Sequence, residues 1–322
     1  MIKIDDRSIS MWSKIGSRAT FGLACLEIVK QNENFFVVTS DVSTSAGLDR
    51  YRKKYPDNYL DVGIAEQNMI GVAAGLSSEG LDVVTTTFST FQTMRCFEQI
   101  RVNLGYMKQK VTMVGLASGL VLGNLGFTHC NIEDISIMRS IPNMQVLSPA
   151  DGLEIVKCLE SSLLSNKPTY IRLTGGADLP IINKKDYQFE IGKGILLKEG
   201  DDITIFSTGV CAKTSLDVAK ILDAKNLNTS VINIHTIKPI DKDLIKTFSK
   251  KSKLIISIEE HNIIGGLGSS IAEVLSNQTN SPKHLFFGVN DKFGACGDYN
   301  FMKERHGLSP NYIYERIIRE ID

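Results

Sequence analysis

Short runs rich in Val, Ile and Phe alternate along the chain with longer segments of helical period, and this alternation constrains the fold most strongly. Strands buried on both faces of a parallel sheet read as continuous apolar runs, and the helices between them repeat their apolar residues about every 3.6 positions. The pattern predicts α/β architecture, with parallel sheets that carry helices on both faces.

The alternation forms two series separated by an irregular segment that contains Gly, Pro and Lys. The first series has predicted strands at 35–41, 82–88, 110–117, 143–148 and 168–174, and predicted helices at 7–32, 64–80, 89–107 and 150–165. The second series has predicted strands at 203–208, 229–235, 253–259 and 284–289, and predicted helices at 212–225, 241–250, 266–277 and 310–321. Because the irregular segment lacks a helical period, we predict two doubly wound domains, 1–177 and 201–322. The linker, 178–200, is expected to hold one or two short strands.

The composition excludes several classes of protein. The 322-residue chain carries 36 basic and 36 acidic side chains, so neither nucleic acid nor an anionic membrane is an expected partner. No apolar run approaches the roughly 20 residues that span a bilayer, and no secretory signal is visible. The six cysteines lack CxxC spacing, so we expect reduced thiols, no metal cluster and a cytoplasmic location.

The segment from Asp61 to Gly75 is the most informative part of the chain. It places Glu66 in the first turn of a helix rich in small residues, directly after a short strand. Taken alone, this pattern is typical of an acidic residue stabilised near the positive end of a helix dipole. Glu66 alone therefore has an ordinary structural explanation.

Four further motifs change the interpretation of that segment. They are Thr87–Phe91 (T-F-x-x-F), Thr128–Asp134 (T-H-x-x-x-E-D), Arg139–Asn143 (R-x-x-P-N) and Val146–Asp151 (V-x-x-P-A-D). With the Glu66 segment, in this order and spacing, they resemble the transketolase family of thiamine-diphosphate enzymes over nearly the whole chain. The resemblance implies a pyrimidine-binding domain followed by a smaller C-terminal α/β domain.

The resemblance assigns four residues to the cofactor. It makes Glu66 the carboxyl group that binds N1′ of the aminopyrimidine and favours its imino tautomer. Phe88 and Phe91 would hold the pyrimidine ring by stacking and apolar contact, although either one alone could be a core aromatic beside a strand end. Asp41 matches a family aspartate near the cofactor, although aspartate is also a common turn residue.

The resemblance also indicates residues that face the substrate. His129 is the predicted acid/base group, because it lies in a loop and matches a family histidine that contacts the substrate. Arg18 and Ser45 match positions that bind the phosphate of the acceptor, and a guanidinium fork suits that anion. A solvated arginine on helix 7–32 is the alternative explanation for Arg18.

Three substrate positions depart from the family pattern. Ala117 replaces a histidine, Leu125 replaces an aspartate that recognises a sugar hydroxyl, and Gly175 replaces a phosphate-binding arginine. A hydroxyl buried against Leu125 would lack a hydrogen-bond partner. We therefore expect a donor or acceptor other than the ordinary pentose phosphates, such as a modified or nucleotide-linked sugar.

The chain contains no G-D-G…N motif, which holds Mg²⁺ and the diphosphate in these enzymes, and we predict no metal ligand. The resemblance therefore implies the C-terminal subunit of a split transferase that moves two-carbon ketol or acyl units. Such a subunit is active only with a partner that carries the diphosphate-binding domain. The expected assembly is α₂β₂, with thiamine diphosphate and with Mg²⁺ held mainly by the partner.

Three alternatives remain. The β subunit of a 2-oxoacid dehydrogenase has similar length and the same two domains. Deoxyxylulose-phosphate synthase resembles this chain at Asp61–Gln67, but normally carries three domains in one chain. A non-catalytic scaffold subunit is the third, although it would not need Glu66, both phenylalanines and His129. The T-H-x-x-x-E, R-x-x-P-N and P-A-D elements favour transketolase.

Overall fold

The computed structural model describes residues 2–321 and contains two β-sheets, of seven and five strands, layered with helices. The strands are β1 (Phe35–Thr39), β2 (Tyr59–Asp61), β3 (Asp82–Phe88), β4 (Val111–Leu116), β5 (Gln145–Leu147), β6 (Thr169–Arg172), β7 (Ile195–Lys198), β8 (Ile203–Ser207), β9 (Thr229–Asn233), β10 (Thr236–Lys238), β11 (Leu254–Asn262) and β12 (Lys283–Val289). This architecture confirms the predicted α/β class.

The helices connect these strands and cover the sheets. They are α1 (Asp6–Ile28), α2 (Asp49–Lys54), α3 (Glu66–Ser78), α4 (Ser89–Thr93), α5 (Phe97–Gln99), α6 (Asp134–Ser140), α7 (Gly152–Leu164), α8 (Cys211–Asp223), α9 (Lys242–Lys251), α10 (Leu267–Leu275), α11 (Tyr299–Arg305) and α12 (Pro310–Ile321). A 3₁₀ turn spans Pro56–Asn58 and a π-helix spans Ile100–Tyr106. Within residues 2–321, none of the helices is both long and apolar enough to cross a membrane.

The first sheet has the order β10-β5-β6-β4-β3-β1-β2, and its strands are parallel except for β10 against β5. Successive residues of a strand point to opposite faces, so Val37 and Val84 join the core with α1 and α7. Their neighbours Val38 and Val83 join the core with α3 and α6. Burial on both faces is the reason that these strands read as continuous apolar runs.

The second sheet has the order β12-β11-β8-β9-β7, parallel except for β7 against β9. Ile205 and Ile256 contribute to a core with α8 and α12. Phe206 and Ile255 point the other way and extend the core that α3 shares with α9 and α10. The two sheets therefore share one continuous apolar layer. The short strand expected in the linker is β7.

The prediction of one helix over 89–107 is wrong. The segment divides into α4, α5 and the π-helix. Thr93 Oγ1 donates to Ser89 O at 2.7 Å and accepts from Asn131 Nδ2 at 3.1 Å, so polar side chains bend the segment near its start. Gly105 lies so close to Ile141 that a Cβ there would come within 2.6 Å, and this packing accompanies the wider π turn.

Four elements were not predicted, namely α2, α6, α11 and β10. The most consequential is β10, which lies beyond residue 201 yet adds an edge strand to the first sheet. Lys238 Nζ at its end donates to Arg139 O and Ile141 O, at 2.8 and 2.5 Å. The second half of the sequence therefore completes the sheet of the first half. The boundaries at 177 and 201 stay predictions.

Candidate active site

The loops after β1 and β2 lie at the carboxyl edge of the first sheet and are joined by hydrogen bonds. Asp61 Oδ1 accepts from the backbone N–H groups of Asp41 and Gly63, each at 2.9 Å. Ser40 Oγ donates to Gly63 O at 2.5 Å and accepts from Ala65 N at 3.1 Å. These bonds fix the chain immediately before α3, where Glu66 begins the helix.

Asp41 has a φ of 55°, and its side chain is exposed at this edge. A non-glycine residue with positive φ is uncommon, and here the bond from its N–H to Asp61 holds the conformation. The position suits the predicted contact with a cofactor, which stays a prediction.

Glu66 is the first residue of α3 and is only 4% exposed. Its Oε1 lies 2.6 Å from Nη1 of Arg95, whose side chain is 43% exposed. The helix N-terminus favours the carboxylate, because the unpaired N–H groups of a first turn carry partial positive charge. Burial and, to a smaller extent, the Glu66 carboxylate raise the pKa of the Cys96 thiol to about 12. Cys96 is therefore an inert core thiol.

Three rings lie together near Arg95, the ion-pair partner of this carboxylate. The ring centroids of Phe88 and Phe91 are 6.4 Å apart and roughly perpendicular. The His129 ring lies 5.4 Å from Phe91 and 6.1 Å from Phe88, edge-on to both. All three side chains are partly exposed. The structure therefore brings His129 to the two predicted pyrimidine-binding phenylalanines.

The loop that carries His129 is held at several points. Backbone bonds of 2.9 and 3.0 Å join Gly119 to Asn131 across its base. Thr90 Oγ1 donates to His129 O at 3.2 Å, and Thr128 Oγ1 shares a 3.0 Å bond with Nδ1 of the imidazole. The ring is therefore oriented by α4 and by its own loop.

Arg18 and Ser45 line one cleft of about 240 Å³, on the kinked helix α1 and the loop after β1. Gly176 and Ala177 also line it, and Ser17 Oγ donates to Gly175 O at 3.1 Å. The structure thus brings together the two residues predicted to bind an anion. It places them beside the segment in which the family arginine is missing.

The three departures from the family pattern have different surroundings. Ala117 is buried at the end of β4 with a φ of 50°, whereas Leu125 is 55% exposed on the His129 loop. Gly175 has a φ of 73°, and a Cβ there would come within 2.5 Å of Leu179 and 2.9 Å of Val210. Position 175 therefore has neither the conformation nor the space for an arginine.

The sequence did not reveal Arg95, although it is the ion-pair partner of Glu66. Its guanidinium carbon lies 4.1 Å from the Phe91 ring centroid. No motif pointed to it, because the contact depends on how the turn after α4 lies against the first turn of α3. Arg95 lies in the turn after α4, four residues beyond Phe91; this spacing could have predicted its contact with the Phe91 ring but not its pairing with Glu66.

A second network was also missed, and it lies beneath the His129 loop. Arg172 Nε contacts both carboxylate oxygens of Asp134, at 2.9 and 2.8 Å, and Nη2 donates to Glu260 O at 2.7 Å. Tyr170 also donates to Asp134, at 2.7 Å. Glu260 Oε1 accepts from Leu120 N at 2.7 Å, which fixes the start of the loop to β11.

No group of three or more His, Cys, Asp or Glu side chains within residues 2–321 could hold a metal ion. Glu133, in the T-H-x-x-x-E-D motif, has its pKa raised by burial, and Ile132 N donates to its carboxylate. The donor set around Glu66 suits a nitrogen heterocycle better than a metal, since it combines one carboxylate with aromatic faces.

Two family profiles match the chain. The profile described as "Transketolase, pyrimidine binding domain" matches residues 13–177, and "Transketolase, C-terminal domain" matches residues 192–313. Both profiles agree with the two sheets described above.

Individual proteins that resemble the chain are also named as parts of transketolases. The chain is 36% identical to a protein of Methanocaldococcus jannaschii named as a transketolase C-terminal section, over 95% of this chain and 96% of that protein. It is 34% identical to a 6-deoxy-6-sulfo-D-fructose transketolase subunit of Clostridium sp., over 92% of this chain and 91% of that protein. A solved structure described as a split gene transketolase, inactive beta4 tetramer, superposes with a TM-score of 0.86 at 34% identity, covering 95% of this chain and 97% of that one.

Proposed function

Because the chain belongs to the transketolase family, we propose that it is the pyrimidine-side subunit of a split thiamine-diphosphate enzyme. The reaction is the transfer of a two-carbon ketol unit, or a related acyl unit, between sugars. This makes the chain a transferase subunit that works only with its partner.

The observation that carries the proposal is the gathering of Glu66, Phe91 and His129 at one edge of the first sheet. They come from α3, α4 and the loop after β4, three separate parts of the sequence. The rings of Phe91 and His129 are 5.4 Å apart. A nearly buried carboxylate next to aromatic faces suits a flat, basic heterocycle, because one group binds its nitrogen and the others bind its faces.

These residues fit the aminopyrimidine half of the cofactor. Bound thiamine diphosphate supplies an electron sink for the carbonyl group of a sugar. Glu66 would share a proton with N1′ of the ring, and the burial of its carboxylate strengthens that hydrogen bond. Phe88 and Phe91 would orient the ring and exclude water from the carboxylate.

His129 would exchange protons with a substrate oxygen. Its Nδ1 shares a hydrogen bond with Thr128 Oγ1 at 3.0 Å, so Nε2 would be the nitrogen that meets the substrate. The contacts of the imidazole with Phe88 and Phe91 would keep it near the cofactor ring.

A partner subunit would hold Mg²⁺ and the diphosphate, because residues 2–321 offer no cluster of metal ligands. The relatives support this division, since two of them are named as a section or a subunit of a transketolase. Two copies of each chain would complete two sites in an α₂β₂ assembly.

The substrate would differ from the ordinary pentose phosphates. Position 175 cannot carry the family arginine, so Arg18 and Ser45 would hold an anionic group without its help. One relative is named for the sulfo-sugar 6-deoxy-6-sulfo-D-fructose, and this supports a modified sugar as substrate. A modified or nucleotide-linked sugar would therefore be the donor or acceptor.

Reconstitution with the partner subunit tests the proposed reaction. Glu66→Ala should lower the rate by at least about 100-fold, because it removes the group that moves a proton at N1′. Glu79→Ala, at the exposed other end of α3, is the matched control and should retain the rate. An unchanged rate in Glu66→Ala would contradict the mechanism.

A substrate panel tests the second part of the proposal. The reconstituted complex should turn over sulfo-sugars or nucleotide-linked sugars faster than xylulose 5-phosphate with ribose 5-phosphate. Ordinary turnover of the pentose phosphates would rule out the altered substrate, and turnover of pyruvate would favour an acyl donor.

A further inference from the structure

Arg95 contacts two of the side chains that would bind the pyrimidine ring, Glu66 and Phe91. Its Nη1 lies 2.6 Å from Glu66 Oε1, and its guanidinium carbon lies 4.1 Å from the Phe91 ring centroid. A guanidinium is flat, carries N–H donors and is attracted to aromatic faces. In these three respects it resembles a protonated aminopyrimidine.

We propose that Arg95 closes the pyrimidine site while the cofactor is absent and leaves it when the cofactor binds. This inference rests on the proposed function and concerns the regulation of the same site. Glu66 is only 4% exposed, so a ligand can reach its carboxylate only if a neighbouring side chain withdraws. Arg95 is the neighbour that is itself 43% exposed, and it can therefore move into solvent.

The backbone at Arg95 need not move in this exchange. Gln67 Nε2 donates to Arg95 O at 3.1 Å, which ties the main chain to the first turn of α3. The side chain has one ion pair and one ring contact, and both would be replaced by the cofactor. The change is therefore a rotation of one side chain.

The exchange has a consequence for the assembly. A lone subunit with Arg95 in place presents no open carboxylate, which keeps Glu66 from other cations before the partner arrives. The partner holds the diphosphate, so the pyrimidine would be delivered at high effective concentration. Arg95 would thereby stay on Glu66 in the assembled, cofactor-free complex and leave when the cofactor binds.

Removal of Arg95 should tighten cofactor binding. An exposed ion pair and a cation–π contact together favour the closed form by about three- to thirty-fold, and the apparent Kd rises by the same factor. In Arg95→Met the Kd for thiamine diphosphate should fall by that factor. Arg95→Gln, which keeps a planar donor without charge, should give a smaller decrease.

The experiment is calorimetric titration of the reconstituted complex with thiamine diphosphate and Mg²⁺. Arg101→Met is the matched control, because Arg101 is exposed and contacts only Glu98 among the ion pairs of residues 2–321, at 3.6 Å. Its Kd should equal that of the unaltered complex. If Arg95→Met fails to fold, the Arg95→Gln titration decides.

Equal or weaker binding in the Arg95 variants would overturn the inference while leaving the proposed function intact, since that result would make Arg95 a support of the loaded site. An unaltered complex that binds no thiamine diphosphate would overturn both. Tighter binding confined to the Arg95 variants supports the inference.

Discussion

Two arginine–carboxylate pairs in this chain have similar short distances and opposite surroundings. Arg95 and Glu66 meet at 2.6 Å at the candidate active site, with side-chain exposures of 43% and 4%. Arg172 and Asp134 meet at 2.8 Å beneath it, with exposures of 1% and 0%. The first pair can exchange its arginine for water or a ligand, whereas the second cannot.

Their remaining contacts explain the difference. Arg172 also donates to the backbone oxygens of Asn131 and Glu260, and Tyr170 donates to Asp134. A buried charge is tolerated only when such bonds replace its hydration. Arg95 contacts one carboxylate oxygen and one aromatic face, and its remaining N–H groups are accessible to water. The Arg172–Asp134 pair, called the inner pair below, thus fixes the loop that carries His129. The Arg95–Glu66 pair, called the outer pair, covers the candidate site.

The largest expected effect is that of breaking the inner pair. Arg172→Met leaves the Asp134 carboxylate buried without its partner, so the free energy of unfolding should fall by about 3–5 kcal/mol. Urea denaturation of the chain measures this loss, with Arg95→Met as the control that should lose less than about 1 kcal/mol. An equal decrease in the free energy of unfolding of the two variants would contradict the proposed difference between the pairs.

A third carboxylate sharpens the comparison, because it is buried without an arginine in contact. Glu259 is 1% exposed and accepts from Leu267 N and Gly268 N, at 2.7 and 2.9 Å. Burial raises its pKa from 4.5 to about 7. The folded state therefore holds this proton more tightly than the unfolded state, and stability should fall as the pH rises from about 4.5 to about 7.

Glu259→Gln should remove that pH dependence. The stability difference between the unaltered chain and the variant should change by roughly 3 kcal/mol between pH 4 and pH 8, in favour of the unaltered chain at low pH. His261 has a pKa lowered by burial to about 4 and opposes the trend, but it contributes to both proteins. Unfolding curves at several pH values test the sign, and a constant difference would contradict the prediction.

A smaller effect is expected when the outer carboxylate is altered. Glu66→Gln should change the free energy of unfolding by no more than about 1 kcal/mol, because Arg95 simply turns to solvent. Asp134→Asn, the equivalent change in the inner pair, should cost several times more. Parallel urea curves measure both, and a large loss in Glu66→Gln would show that the outer pair is structural.

The smallest effect concerns salt. At about 0.5 M salt the screening length falls below the size of the site, so the stability difference between Arg95→Met and the unaltered chain should approach zero. The cost of Arg172→Met should be unchanged, since its pair excludes ions. Denaturation at low and high salt measures both, and a persistent Arg95 effect would indicate a packing role.

Much of this fold could be predicted from the sequence because its strands are buried on both faces. The apolar run at 35–41 became β1 and the run at 110–117 became β4. The strand β10 was missed, because its residues Thr236–Lys238 form a strand only against β5, far away in the chain. Short elements of this kind owe their structure to a distant partner rather than to local preference.

Part of the candidate site could likewise be predicted from the sequence. Glu66, Phe88, Phe91 and His129 lie in motifs, and the fold brings the three rings together. Arg95 was missed because nothing in the chain near it predicts which carboxylate it meets.

The sequence by itself determined the α/β class and the family, since these follow from apolar periodicity and from motifs of fixed spacing. Only the tertiary structure decided which charges meet and which of them water can reach. Pairing and burial depend on distances between segments remote in sequence, and burial sets the strength of a charge pair. That is why Arg172 became part of the core and Arg95 became the neighbour of Glu66.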